Sequence, residues 1–217
     1  MTVANPDQDV NEPVELIIVR HGRPGNPRES QNPADPPLGD LGHRQARRVA
    51  EHLKAEGADR VHSSSLLRAA ETAATIAREL DVRLTFDPDL AEFDRDATEY
   101  LFFEDLIANK DPRYDAYLRE DLSPWGTDVT SFRSRVARAF DRLLRECRPG
   151  ERVVVVCHGG VLNAYLGGVL GIAEFMFHDP EYTSISRVLV DHGRSRRLVS
   201  INESGHLRRQ QNHENSH

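Results

Sequence analysis

The chain has 217 residues, enough for one domain with an insertion, and a domain of that length buries roughly 70% of its unfolded surface without a disulfide or metal staple. Charged residues at 29% and hydrophobic ones at 38% are ordinary for a globular protein. A net charge of -7 excludes non-specific binding to nucleic acid or anionic membranes, because the global field repels phosphate polymers.

Residues 1–13 are a polar lead, expected to be disordered; they lack the cationic start and apolar core of a secretion signal, and no run approaches about 18 apolar residues. With two cysteines in no metal-like or secreted-scaffold spacing, the sequence points to the cytoplasm. Residues 16–22, LIIVRHG, then form a β-branched run of the kind found in buried parallel strands, and it ends at Arg20, His21 and Gly22. Ligands of α/β sheets sit beyond the strands' carboxyl ends, so His21 stands where chemistry occurs. Gly22 leaves room for an incoming group and Arg20 adds a fixed cation.

Residues 23–38 hold five prolines and form a loop over that position. From 41 to 56, Leu41, Ala46, Val49, Ala50 and Leu53 share one helical face, with Gly57 as the stop. A short strand over 59–62 precedes a helix capped by residues 63–65, with Leu66, Ala70, Ala73, Ile76 and Ala77 facing inward. Arg68 in its first turn opposes the helix dipole, an objection that a bound anion removes. A third strand lies near 82–86. Residues 93–127 hold seven of the fourteen aromatics and nine acids against four bases, which suggests a partly helical cap, a satellite hydrophobic cluster, or both.

The best amphipathic helix starts at Asp128 and carries Val129, Phe132, Val136, Phe140, Leu143 and Cys147. Strand four, 152–157, leads into His158, Gly159 and Gly160 and a helix over 160–171. Strands over 183–190 and 196–201 close the domain at about residue 206, with 207–217 an unstructured tail. His192-Gly193 lies between those two strands and is a hairpin turn without function. The expected fold is a three-layer α/β/α sandwich with a mostly parallel central sheet.

Two buried strands ending in His-Gly bring His21 and His158 to one crevice. Cys157 points to the opposite face from His158, so the pair is no thiolate dyad and Cys157 is a packing residue. No histidine spacing or acidic cluster suits a metal, and GxGxxG and GxSxG are absent, so neither metal nor cofactor is expected.

RHG at 20–22, PLGDLGHRQA at 37–46, SSSLLRAAETA at 63–73, LAE at 90–92, CHGGVLNAYLG at 157–167 and INESGHL at 201–207 resemble the histidine phosphatase superfamily, the phosphoglycerate-mutase-like proteins. The resemblance implies a phosphoglycerate-mutase-like fold over 14–206 and a covalent phosphohistidine on His21. Arg20, Arg68 and His158 would hold the phosphoryl oxygens, helped by backbone donors at Gly159. By place in the pattern Glu92 is the general acid and base, but FDRDATEY follows it where the family often has Gly and Trp, so Asp94 and Asp96 compete. Asn26 is the candidate for a further phosphate contact, one position early in a loop where Arg23 and Arg28 could instead meet a second anion. The expected partner is a small-molecule phosphate ester. A phosphomonoester hydrolase is the first reading, a phosphoglycerate mutase-type transferase the second, and a non-catalytic phospho-ligand module the third. An exposed edge strand or the aromatic segment would allow a homodimer.

Overall fold

A computed structural model describes residues 12–191 and 195–208 of the chain. The expected turn at His192-Gly193, the lead up to residue 11 and the tail from residue 209 lie outside the described residues.

Six strands form one sheet: β1 (Val14–Arg20), β2 (Arg60–Ser63), β3 (Arg83–Phe86), β4 (Arg152–Cys157), β5 (Ile185–Val190) and β6 (Arg196–Glu203). Their order is β3-β2-β4-β1-β5-β6. β3, β2, β4 and β1 pair in parallel, and β5 is antiparallel to both β1 and β6, so it alone runs against the rest. The central strands β1 and β4 are the apolar runs of the sequence, as expected where helices cover both faces.

Alternation along β1 divides the core. Ile17 and Val19 face α1 (Asp40–Glu56) and α2 (Leu67–Leu80) with Val49, Leu53, Ala73 and Ile76. Leu16 and Ile18 face α5 (Val129–Arg145) and α6 (Gly159–Leu170) with Phe132, Phe140, Val161 and Leu162. Each such fully buried aliphatic contributes about 1.5–3 kcal/mol. Among the described residues no helix is long and apolar enough to cross a membrane.

Residues 93–127 fold into α3 (Phe103–Ala108), α4 (Pro112–Leu118) and a 3₁₀ turn at Ser123–Trp125. Phe93 meets Trp125, Phe132 and Phe175 edge-on, and Phe103, Tyr114 and Tyr117 pack at the margin of that cluster. The segment is therefore part of the core beneath α5 and α6, and it also walls the cavity described below.

Several expectations shift locally. Leu41 is exposed, because it lies about 140° round the helix from Ala46. α2 starts at Leu67 with no side-chain cap from its own sequence, since β2 runs on through Ser63; Ser64 Oγ accepts instead from the amide of Leu66. The tail starts later than expected, as Gly205–Leu207 form a 3₁₀ turn with His206 buried.

Candidate active site

β1 and β4 are in register with Arg20 opposite Cys157, so their next residues, His21 and His158, leave the sheet side by side. The two imidazoles lie 4.9 Å apart between ring centroids, and the His21 amide donates to the Cys157 carbonyl at 2.9 Å. Nδ1 of His21 is 2.8 Å from the Gly22 carbonyl. A carbonyl can only accept, so Nδ1 holds the proton and Nε2 keeps its lone pair. Burial, and then the charges of Arg68 and Arg20, hold His21 well below the usual histidine range.

Gly22 has a different role from the one expected. A Cβ there would come within 2.7 Å of the Gly42 carbonyl, so the missing side chain allows the loop to pass close to α1 rather than admitting a ligand. The Gly22 amide donates to Thr72 Oγ1 at 3.0 Å, and that hydroxyl donates to the Arg68 carbonyl at 2.7 Å. One threonine thus ties the end of β1 to the first turn of α2.

That turn carries Arg68, which is almost fully buried. Its Nη2 donates to Asp94 at 3.2 Å, Asp35 lies 3.6 Å from Nη1, and its guanidinium sits 4.6 Å from the centroid of the Tyr100 ring. Asp35 comes from the proline-rich loop and also accepts from the Leu67 amide at 2.9 Å. The loop therefore supplies the carboxylate that the helix amino end favours. Nε and Nη1 of Arg68 and Nε of Arg20 are buried with no hydrogen-bond partner. Arg20 also donates from Nη1 to the Pro180 carbonyl, lies 3.7 Å from Asp179 and stacks 4.1 Å from the Tyr182 centroid.

Glu92 stands at the amino end of α6. Its Oε2 accepts from the Gly160 amide at 2.8 Å and its Oε1 from the Phe93 amide at 3.1 Å. Burial, reinforced by the negative charge of Asp94, pushes its carboxyl up to about 7. Gly160 is obligatory beside it, because a Cβ would collide with the Glu92 carboxyl and with Phe93.

These groups meet in a cavity of about 160 Å³. Arg20, His21, Arg68, Glu92, Asp94 and Gly159 line it, with Tyr100, Phe103, Tyr117, Trp125 and Tyr182 among its walls. The rival carboxylates separate clearly: Asp94 reaches the cavity but is held by Arg68, whereas Asp96 faces solvent beside Arg95 at 3.2 Å and does not line it. Asn26 is also elsewhere. Its Oδ1 caps a 3₁₀ turn by accepting from the Arg28 amide at 3.1 Å, and its Nδ2 donates to Glu29. His158 is fully buried next to His21 rather than in the cavity wall, with Nε2 2.8 Å from Ser64 Oγ and Nδ1 lacking a hydrogen-bond partner. Cys157 is a buried core residue whose thiol is pushed up by desolvation. Among the described residues no group of three His, Cys, Asp or Glu side chains is placed to hold a metal ion.

Sequence reasoning missed Ser64, Thr72, Asp35 and the wall from Asp179 to Tyr182. Ser64 and Thr72 lie inside a quoted motif, each four residues from Arg68, and were open to notice. Asp35 and Asp179 sit in loops without periodicity, and nothing local marks them.

The chain resembles known proteins over most of its length. Phosphoglycerate mutase-like protein 4 of Arabidopsis thaliana is 33% identical over 158 residues, 69% of this chain and 68% of the relative. Three mycobacterial relatives are 32% identical over 205 residues, which span 90% of this chain but only 55% of theirs. Among solved structures, phosphoserine phosphatase from Entamoeba histolytica in complex with 3-phosphoglyceric acid has a TM-score of 0.71 and 27% identity, covering 89% of this chain and 99% of that one. A mycobacterial glucosyl-3-phosphoglycerate phosphatase complexed with VO3 gives 0.73 and 25%, covering 88% and 99%. The model described as histidine phosphatase superfamily (branch 1) matches residues 16–204, and the chain is a member of that superfamily.

Proposed function

We propose that the protein hydrolyses a phosphomonoester through a covalent phosphohistidine on His21, with Glu92 as general acid and then general base. One observation carries the reading: a neutral imidazole with a free Nε2, two guanidiniums with unpartnered N–H groups and a carboxyl raised to about 7 line a single cavity. A tetrahedral oxyanion is the acceptor set that those donors match.

In the first step Nε2 attacks phosphorus, the P–O ester bond breaks, and the Glu92 carboxyl proton passes to the leaving alkoxide. Arg20 and Arg68 hold the equatorial oxygens while charge redistributes, and His158 packs against His21 from behind the cavity wall. In the second step the Glu92 carboxylate takes a proton from water, the hydroxide attacks phosphorus and the N–P bond breaks. The electron pair returns to Nε2, phosphate leaves and Glu92 is protonated again.

Hydrolysis is favoured over mutase transfer because a mutase must retain a bisphosphate, whereas among the described residues the cations lining this cavity are Arg20 and Arg68 alone, already shared with Asp94, Asp35 and Asp179. Rapid mixing with para-nitrophenyl phosphate and acid quench should trap an acid-labile phosphoryl group that is absent in His21→Ala, together with vanadate-sensitive release of phosphate. A label that survives His21→Ala refutes the nucleophile, and mutase turnover without release refutes the hydrolase.

A further inference from the structure

Beyond the phosphoryl end, the cavity wall is aromatic and acidic. Among the described residues six aromatics line it, Phe93, Tyr100, Phe103, Tyr117, Trp125 and Tyr182, together with Leu101, Leu106 and Met176. Among the described residues, the charged groups on that wall apart from Arg20 and Arg68 are the carboxylates Asp94, Glu104 and Asp179. Arg23 is nearby but spent, donating to Glu104 at 2.6 Å, and it does not line the cavity. The whole cavity, phosphoryl end included, is about 160 Å³, near the roughly 150 Å³ of a cavity that holds one benzene ring, so the organic part of the substrate is small.

From this wall, and resting on the phosphatase reading, we infer that the preferred substrate is the phosphomonoester of a small alcohol bearing one apolar ring and no second anionic group. A ring there meets aromatic edges and faces and gains from burial. A carboxylate or second phosphate would leave water for a wall without a spare cation, beside carboxylates of its own sign. This sets the chain apart from the two structural neighbours named above, a phosphoserine phosphatase bound to 3-phosphoglyceric acid and a glucosyl-3-phosphoglycerate phosphatase.

The test compares benzyl phosphate with 4-carboxybenzyl phosphate, which share the leaving-group carbon and differ by one remote charge. Phosphate release should show kcat/KM at least tenfold higher for benzyl phosphate, chiefly through KM. Glu104→Gln combined with Asp179→Asn, both at exposed side chains, should shrink that ratio to less than threefold. Equal or better turnover of the carboxylated ester overturns the inference while leaving the phosphatase reading intact. Trp125 is the single tryptophan of the chain, so its fluorescence also reports filling of the wall without turnover. Quenching by benzylphosphonate with no phosphate released from either ester supports the subsite but overturns the phosphatase reading on which it rests. No quenching at millimolar benzylphosphonate overturns the subsite.

Discussion

Burial acts on His21 and Glu92 in one way and prepares them for opposite tasks. Desolvation penalises the charged form, so the imidazole stays neutral and the carboxyl protonated, the forms that the proposed mechanism asks of a nucleophile and an acid. Formation of the phosphoenzyme should therefore slow as pH rises through about 7, where Glu92 gives up its proton; stopped-flow trapping between pH 6 and 9 measures this. The raised carboxyl also has a stability cost. An unfolded glutamate ionises near 4.5 and the folded one near 7, so the native state binds the extra proton between those values and loses stability as pH climbs through that window. Glu92→Gln should cut turnover by roughly 10² to 10⁴. The same variant should gain about 3 kcal/mol relative to the parent on going from pH 4.5 to 8, read by denaturant titration.

At the scale of elements, the site depends on ties between segments distant in sequence. Thr72 joins the Gly22 amide to α2, so Thr72→Val removes a hydroxyl of nearly equal volume and leaves a buried N–H unpaired. A loss of about 1–3 kcal/mol in unfolding free energy is expected, together with weaker phosphate binding as the end of β1 and Arg68 lose their common tie. Asn163 on α6 plays the same part for the far wall, accepting from the His178 amide at 3.1 Å and donating to the His178 carbonyl at 3.0 Å. Asn163→Leu should raise KM more than it lowers kcat, measured with one ester, because it frees the residues that engage Arg20 while His21 keeps its place at the end of β1.

This division also explains what the sequence made legible. His21, His158 and Arg68 occupy strand ends and a first helical turn, which patterning of apolar residues locates. Asp94 and Asp96 could not be ranked from spacing, because the choice rests on which one Arg68 captures. Asn26 misled for a related reason: its side chain serves its own turn, and an asparagine is suited to that before any ligand arrives.

For the whole molecule, several buried histidines set an acid limit. His21 and His158 are held well below the usual range by burial, and His206 is lowered to about 4 by burial and its neighbour His52. Below pH 6.5 the unfolded chain takes up protons that these groups refuse in the fold, so stability falls as pH drops through 6.5 and continues falling to about 4. Thermal unfolding of the parent should peak near neutrality. His206→Phe should flatten the acid limb, while an unchanged limb would assign it to other groups. The reversed strand has its own consequence. Because β5 descends where its neighbours rise, the polypeptide arrives at the reaction chamber before entering the sheet, delivering Asp179, Pro180 and Tyr182 on its way in. Stretches that follow a strand carry His21, Arg68 and Glu92; this incoming stretch carries none of them and meets only Arg20. Under the proposed function, substrate preference diverges by rewriting the residues ahead of β5, so long as the new stretch keeps its hold on Arg20.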